Sequence, residues 1–525
     1  MSLLTHSKEL KDLHSHYDFI IVGSGPAGCV VASGLATNPN VSVLLIEAGG
    51  TDAVPEVQDA NQWWSNLESE RNWHFKGEAD TILGERSLPY HSGKVLGGGS
   101  SINASAWARG HRSDWNYLQA LTGESGWAYE AVVKAYQRIE QWTGALDNER
   151  RGRTGPLCIS PSLKIGEGNS QGRGLGPAFL AAVSEQGIPL FDQQNGALME
   201  APIGASLTDL CACDGRRSSV FQAYVAPLLQ QGNLDLITKA LVTKITLRGS
   251  RAVGVEVEQD GTRRGVESVH EVIVSAGALQ TPKLLMQSGI GPAPELEQHG
   301  IPVLHALPGI GQNLQDHTVA NLAFQAPKEM PSQTVCPQAA AFLRSSGNSS
   351  PAPDMYVFVV EGSVSAADGL IWALGAMLLR PESHGTLRLS GPHASDPPRI
   401  EGHLLSEKHD LEILIEGTKF CQEVAQSEAM RGCIQRQLSP ALSSDDQLAT
   451  YIAQTASSCW HVCGTCKMGT DAMSVVNSAF EVHGLAGLRI ADASVLPRVP
   501  LGNTMASTII VGAEAVRKIT GKYGL

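Results

Sequence analysis

Three short stretches of this chain bring together residue types and spacings that could do chemistry. Gly23-Ser24-Gly25-Pro26-Ala27-Gly28 spaces its glycines as G-x-G-x-x-G, and Glu47 follows nineteen residues after Gly28. Such glycines permit a tight turn and let a pyrophosphate approach a helix N-terminus, where free N–H groups favour negative charge. Glu47 is placed to accept hydrogen bonds from an adenosine ribose. This spacing predicts a dinucleotide site and does not separate NAD from FAD. The second stretch, residues 93–103, offers Gly97-Gly98-Gly99-Ser100-Ser101 before Ile102 and Asn103. Its bare backbone can pass close to a flat ring or a phosphate, and the apolar Val95 and Ile102 within it argue for packing rather than mobility. The third stretch is Cys459-Trp460-His461-Val462-Cys463-Gly464-Thr465-Cys466. A histidine beside tryptophan can be a base or a satisfied core residue, and the stretch alone favours the core residue. The cysteines suggest zinc or a C-x-x-C redox pair, but zinc sites usually join two short knuckles across a longer loop. Here the candidates crowd into eight positions, so no metal site is expected.

The elements that must position these residues are legible around them. Phe19-Ile20-Ile21-Val22 reads as a buried strand, residues 29–36 as a helix, and 41–46 as a second strand ending at Glu47. Asn38-Pro39-Asn40 breaks the chain between them, giving a β-α-β unit and a parallel sheet. Residues 234–258 and 271–275 are strand-rich, and 276–288 reads as a turn into a short helix. Residues 321–325, 355–360 and 386–389 look like strands of a second, more antiparallel region around a surface loop at 344–354. Residues 410–427 look helical, with acids in the first turn, and 487–491 reads as another buried strand. No internal repeat at a fixed period is visible.

With 525 residues the chain can bury a large core in at least two regions. A net charge of −13 argues against nucleic-acid binding and against docking on an anionic membrane. The longest apolar run, 369–379, falls well short of the ~20 residues of a spanning helix and reads as a buried strand or pocket wall. Residues 1–16 are polar and charged, without the pattern of a secretory signal. The expectation is therefore a cytoplasmic protein with reduced thiols, no integral membrane segment, and oligomerisation left open.

Taken with these stretches, further segments establish a resemblance. They include Arg109-Gly110-His111, Gly152-x-x-Gly155-Pro156, Arg217-Ser218-Ser219 before Ala223-Tyr224, and Ser275-Ala276-Gly277-Ala278-Leu279-Gln280-Thr281-Pro282 with Ser288-Gly289-Ile290-Gly291. Gly311-x-Asn313-Leu314-x-Asp316-His317, Arg380-Pro381-x-Ser383-x-Gly385, Ala491-Asp492-Ala493-Ser494 and Pro500-Leu501-Gly502-Asn503-Thr504 complete the set. In this order they cover nearly the whole chain, which resembles the glucose–methanol–choline oxidoreductases, in particular choline dehydrogenase-like and aryl-alcohol or hydroxymethylfurfural oxidase-like members.

The resemblance implies an α/β fold: a split Rossmann-type FAD-binding domain with an inserted substrate domain on an antiparallel sheet backed by helices. The expected FAD-binding segments are residues 1–155, 215–315 and 456–525, and the expected substrate-binding segments are 156–214 and 316–455. By position, the catalytic pair falls on His461 and Asn503. The expected cofactor contacts are Gly23, Gly25, Gly28, Glu47, Val95, Gly98, Ser100, Asn103, Ala104, Val242, Ala276, Trp460, Asp492, Ala493, Asn503 and Thr504. Members that tether FAD covalently do so through a histidine directly before the loop asparagine; Ile102 stands there, so noncovalent FAD is expected.

The reaction so implied is oxidation of a primary alcohol to the aldehyde by hydride transfer to flavin, with His461 as base. Dioxygen or another electron acceptor would reoxidise the flavin. Choline would need an aromatic cage with a carboxylate, and the substrate region holds few aromatics, so an aromatic or furanic alcohol is favoured over choline. Phe358 is a candidate pocket residue; Trp372 is another, although it could equally be core packing. A choline-type dehydrogenase, an FAD-containing hydroxynitrile lyase and a nicotinamide dehydrogenase remain as alternatives. Cyanide release without flavin bleaching would mark the lyase, and a colourless protein the nicotinamide enzyme.

Overall fold

The structure, a computed structural model, describes residues 7–163, 174–330, 332–334, 336–365 and 369–525. The β-α-β reading holds. His16–Val22 forms a strand whose Phe19, Ile20 and Ile21 are fully buried, and Val43–Ile46 pairs with it in parallel. Between them, the helix Pro26–Ala36 starts earlier than expected, because Pro26 sits at its first position, where no backbone N–H is needed.

The first sheet runs Ser7–Lys8, Leu234–Ile237, Val43–Ile46, His16–Val22, Thr262–Val274, Arg251–Gln259, Leu241–Arg248, with Leu488–Ile490 also on Thr262–Val274. Its centre is parallel, and the last two strands form an antiparallel meander on the long Thr262–Val274 strand. Three distant parts of the chain thus contribute to one sheet. The helix Gly277–Gln287 follows Val274 directly, and the C-terminal helix Thr504–Tyr523 packs on Pro26–Ala36.

The second sheet is antiparallel throughout, in the order Arg436–Gln437, Thr318–Gln325, Gly369–Leu378, Met355–Ser365, Ala339–Leu343, Gly204–Leu207. Ser457–Ser458, expected with the nucleotide-binding segments, pairs instead with Thr318 and Val319 of this sheet. The apolar run at 369–379 is the strand Gly369–Leu378 at its centre. Alternation sorts its side chains into two faces. Ala320, Leu322 and Phe324 share one face with Trp372, Leu374 and Ala376, under the helix Lys408–Gln426, whose Gly417 comes up against Ala376. Val319, Asn321 and Ala323 share the other with Ile371, Ala373 and Met377, and that face looks into a cavity.

One expectation is corrected. Cys158 and Cys213 are joined by a disulfide. Ser160 registers with Leu210, which brings the flanking Leu157–Pro161 strand beside the Ala212–Cys213 ribbon across 55 residues of chain. No local spacing could reveal that pairing. Among the described residues, no helix is long and apolar enough to cross a membrane.

Candidate active site

The glycine turn is built by close contact. A Cβ on Gly28 would lie 2.0 Å from the Gly23 carbonyl oxygen, so helix and strand meet only through glycine. Glu47 sits at the end of the second strand, buried, and its Oε2 accepts from the Ser24 N–H at 3.0 Å and the Ser24 hydroxyl at 2.7 Å. Its Oε1 accepts from the Gly49 N–H at 2.8 Å, and burial pushes the carboxyl above the usual range. The second glycine loop lies on this turn: Gly98, at φ +53°, would place a Cβ 2.8 Å from the Gly25 Cα. Asp492 ties in the C-terminal segment. Its Oδ2 accepts from the Gly277 N–H at 2.9 Å and the Thr281 hydroxyl at 2.6 Å, and its Oδ1 from the Ser494 N–H at 2.8 Å.

These elements line one cavity of about 730 Å³ that runs from the fingerprint turn to the second sheet. Such a volume falls in the range of roughly 300–1,000 Å³ found for cofactor and ligand sites. His461 stands where the two regions meet. Trp460, just before it, is held at φ 60° by a hydrogen bond from its N–H to Ser458 Oγ at 2.8 Å and from its Nε1 to the Pro89 carbonyl at 3.1 Å. A bulky residue in that region costs about 1–3 kcal/mol, and the sharp turn it makes aims the next side chain inward. The His461 N–H donates to Asp316 Oδ1 at 2.8 Å, and Ser458 Oγ donates to Asp316 Oδ2.

The imidazole has two nitrogen neighbours. Asn503 Nδ2 lies 3.1 Å from Nε2, and His317 Nδ1 lies 2.9 Å from His461 Nδ1. An amide nitrogen only donates, so Nε2 carries the lone pair and the single proton of neutral His461 sits on Nδ1, facing His317. Burial lowers the His461 pKa to about 4 and holds His317 well below its ordinary value, chiefly because a charged ring would be stripped of water. Burial pushes the Asp316 carboxyl up to about 7.

Most of the expected cofactor contacts line the cavity: Gly23, Gly25, Glu47, Gly98, Ser100, Asn103, Ala104, Val242, Ala276, Trp460, Asp492, Ala493, Asn503 and Thr504. Two do not. Gly28 packs behind the turn on Gly23, and Val95 is fully buried, bridged to Gly50 through the backbone. Phe358 lies on the cavity face, against Gly375. Trp372 belongs to the wall, but its ring stacks on Phe324 at 4.6 Å and its N–H donates to the Cys433 carbonyl at 3.1 Å. Its indole therefore supports the sheet from the helix side and is not presented to the cavity.

Asp316 and His317 belong to a motif of the sequence that by itself gives neither a role. The only local signal is an adjacent acid and histidine between the buried Leu314 and Val319. Trp63 and Trp64, stacked at 3.7 Å beside the cavity, also escape sequence reasoning because their stretch carries no clear periodicity.

Residues 17–319 match the N-terminal family model described as GMC oxidoreductase, and residues 381–512 match the C-terminal one. An oxygen-dependent choline dehydrogenase of Brucella anthropi is 34% identical, over 97% of this chain and 96% of the relative. An alcohol dehydrogenase (acceptor) of Pseudomonas putida is 32% identical over the same shares. The crystal structure of pyridoxine 4-oxidase from Mesorbium loti superposes with a TM-score of 0.88 at 27% identity, covering 96% of this chain and 99% of that one. Family matches at both ends of the chain, and relatives that align over nearly all of it, place this protein in the GMC oxidoreductase family.

Proposed function

We propose that this protein is an FAD-dependent oxidoreductase that converts a primary alcohol to its aldehyde, with His461 as the base. The observation that carries the reading is the His461 Nε2–Asn503 Nδ2 pair, 3.1 Å apart, at the end of a cavity that begins at a dinucleotide fingerprint. The residues present fit FAD. Among the described residues, Ser275 Oγ is buried at the cavity wall without a partner, and beyond Gly99's own turn and chain neighbours no atom lies within 4 Å of where a Cβ on Gly99 would stand. Glu47 and the turn at Gly23–Gly25 would hold the nucleotide end, and Ser100, Asn103 and Ala104 would hold the ring end. Ile102 at the tethering position supports noncovalent binding, so acid precipitation should release the FAD.

When bound, FAD supplies the acceptor for the hydride. The remaining work belongs to the chain. A substrate hydroxyl seated against both His461 and Asn503 gives its proton to His461 Nε2 while Asn503 Nδ2 donates to the oxygen as it gains charge. His317 Nδ1 accepts the Nδ1–H of His461 throughout, which fixes the tautomer and the ring plane. The apolar walls exclude water and hold the carbinol carbon in one orientation.

The substrate end is walled by Val319, Ala323, Tyr356, Phe358, Ile371 and Met377, with Asn321 as its amide. Glu361, the carboxylate at this wall, is already engaged by the Ser332 hydroxyl at 2.6 Å, the Gln333 N–H at 3.0 Å and Gln338 Nε2 at 2.5 Å. A neutral aromatic or furanic alcohol suits this lining. A choline-type substrate is the second reading, favoured by the stacked Trp63–Trp64 pair beside the cavity, whose faces could meet a quaternary ammonium. Anaerobic addition of benzyl alcohol, hydroxymethylfurfural or choline to the holoenzyme tests both. Bleaching of the flavin bands identifies the substrate class, and peroxide formed on admitting air identifies dioxygen as acceptor. No bleaching by any alcohol, with cyanide released from mandelonitrile, would overturn the oxidation reading.

A further inference from the structure

Among the described residues, three of the four buried arginines keep carboxylate partners. Arg109 pairs with Glu140, Arg151 with Glu140 and Asp209, Arg489 with Glu271. This is what charge burial demands, since an unpaired ion in a dry interior is costly. Arg217 breaks the pattern. It lies on the Arg216–Arg217 strand, buried, with Nε donating to the Val57 carbonyl at 2.9 Å. Its Nη1 donates to Asn103 Oδ1 at 2.7 Å and to the Ser100 carbonyl at 3.3 Å, and its Nη2 has no partner among the described residues. Among the described residues no carboxylate stands within 4.0 Å of it; Asp59 is the acid whose field reaches it.

Two of these three acceptors, on Ser100 and Asn103, belong to the second glycine loop itself. Asn103 is gripped from both sides: Arg217 holds its oxygen, and its Nδ2 reaches Met505 Sδ at 3.3 Å in the first turn of the Thr504–Tyr523 helix. The positive end of that 20-residue helix therefore faces the same spot. Asn103, Ala104, Thr504 and Met505 all line the cavity beside Asn503. Burial lowers the Arg217 pKa only to about 10, so the guanidinium stays charged at neutral pH.

We propose that Arg217 is a positioning residue that also acts electrostatically, its unneutralised charge behind Asn103 raising the electron affinity of the cofactor bound there. This rests on the FAD reading above. Oxidation of the alcohol removes two electrons and two hydrogen nuclei. One nucleus leaves as a proton to His461, and the other travels with both electrons as hydride. Hydride arrival adds one negative charge at the ring end of the cavity, where a fixed positive charge and a helix N-terminus favour it. A carboxylate partner for Arg217 would cancel that effect, which gives its absence a physical reason.

The test is the two-electron midpoint potential of holoenzyme variants, measured anaerobically against reference dyes, with FAD content read from the absorbance ratio. Arg217→Met should make reduction at least about tenfold less favourable, a fall of about 30 mV. Arg217→Lys, which keeps the charge and loses the planar fork, should restore most of it. Asn103→Asp, which sets a carboxylate against the guanidinium, should lower the potential as well. Equal potentials in wild type and Arg217→Met, or an equal fall in the Met and Lys variants, would overturn the proposal. If Arg217→Met fails to hold FAD, an unchanged potential in Asn103→Asp overturns it. A wild-type protein that takes up no FAD would instead defeat the reading on which this one rests.

Discussion

The imidazole of His461 is buried and neutral. His461 can accept a proton only when Nε2 is free, and burial holds its pKa at about 4 rather than near 6.5. Because the shift is downward, the competent form persists as pH falls and is lost only on approaching pH 4. The acid limb of kcat/KM should therefore lie near 4, and a limb near 6.5 would mean a more hydrated base than this site provides. His461→Ala should slow flavin reduction by about 10²–10⁴-fold while FAD remains bound, as seen by anaerobic stopped-flow absorbance. The resemblance names His461 and Asn503 as a pair by position, and the fold brings the two side chains to 3.1 Å. His317 was not legible, since its partner lies 144 residues away and only folding brings the two rings together.

Elements decide which side chains face the substrate. The strand Gly369–Leu378 was legible as a buried strand or pocket wall, but a run apolar on both faces cannot say which residues point to the cavity. Pairing settles it: Trp372 shares its face with Phe324 under a helix, and Phe358 faces the cavity. Trp372→Ala should therefore lower stability by about 3–5 kcal/mol in urea unfolding, with little change in preference among alcohols. Phe358→Ala should change relative KM values across the alcohol panel with a smaller loss of stability. The reverse pattern would place the indole in the pocket. The β-α-β unit was read with each element's last residue in place and its first residue two or three positions off, because each of its parts, strand, glycine turn, helix and breaker, has its own local signal. The second sheet was read only in pieces, its pairing partners being scattered from Gly204 to Ser458.

Across the whole molecule, the chain crosses repeatedly between the two sheets, and long-range links fix their edges. Reduced thiols were the natural expectation, yet Cys158–Cys213 closes a 55-residue separation at the ribbon that carries Arg217. Cys213→Ser should cost about 2–4 kcal/mol in urea unfolding, and a reductant should cost the wild type the same amount. A variant as stable as wild type would show that the bond does not form. The central claim is that the continuous cavity running from the fingerprint turn to His461 and Asn503 would hold a flavin dinucleotide. The absorption spectrum of the purified protein, before and after incubation with FAD and gel filtration, tests it most directly. The protein should be yellow, with bound flavin bands in near one-to-one ratio; a colourless protein that retains no FAD would contradict the claim.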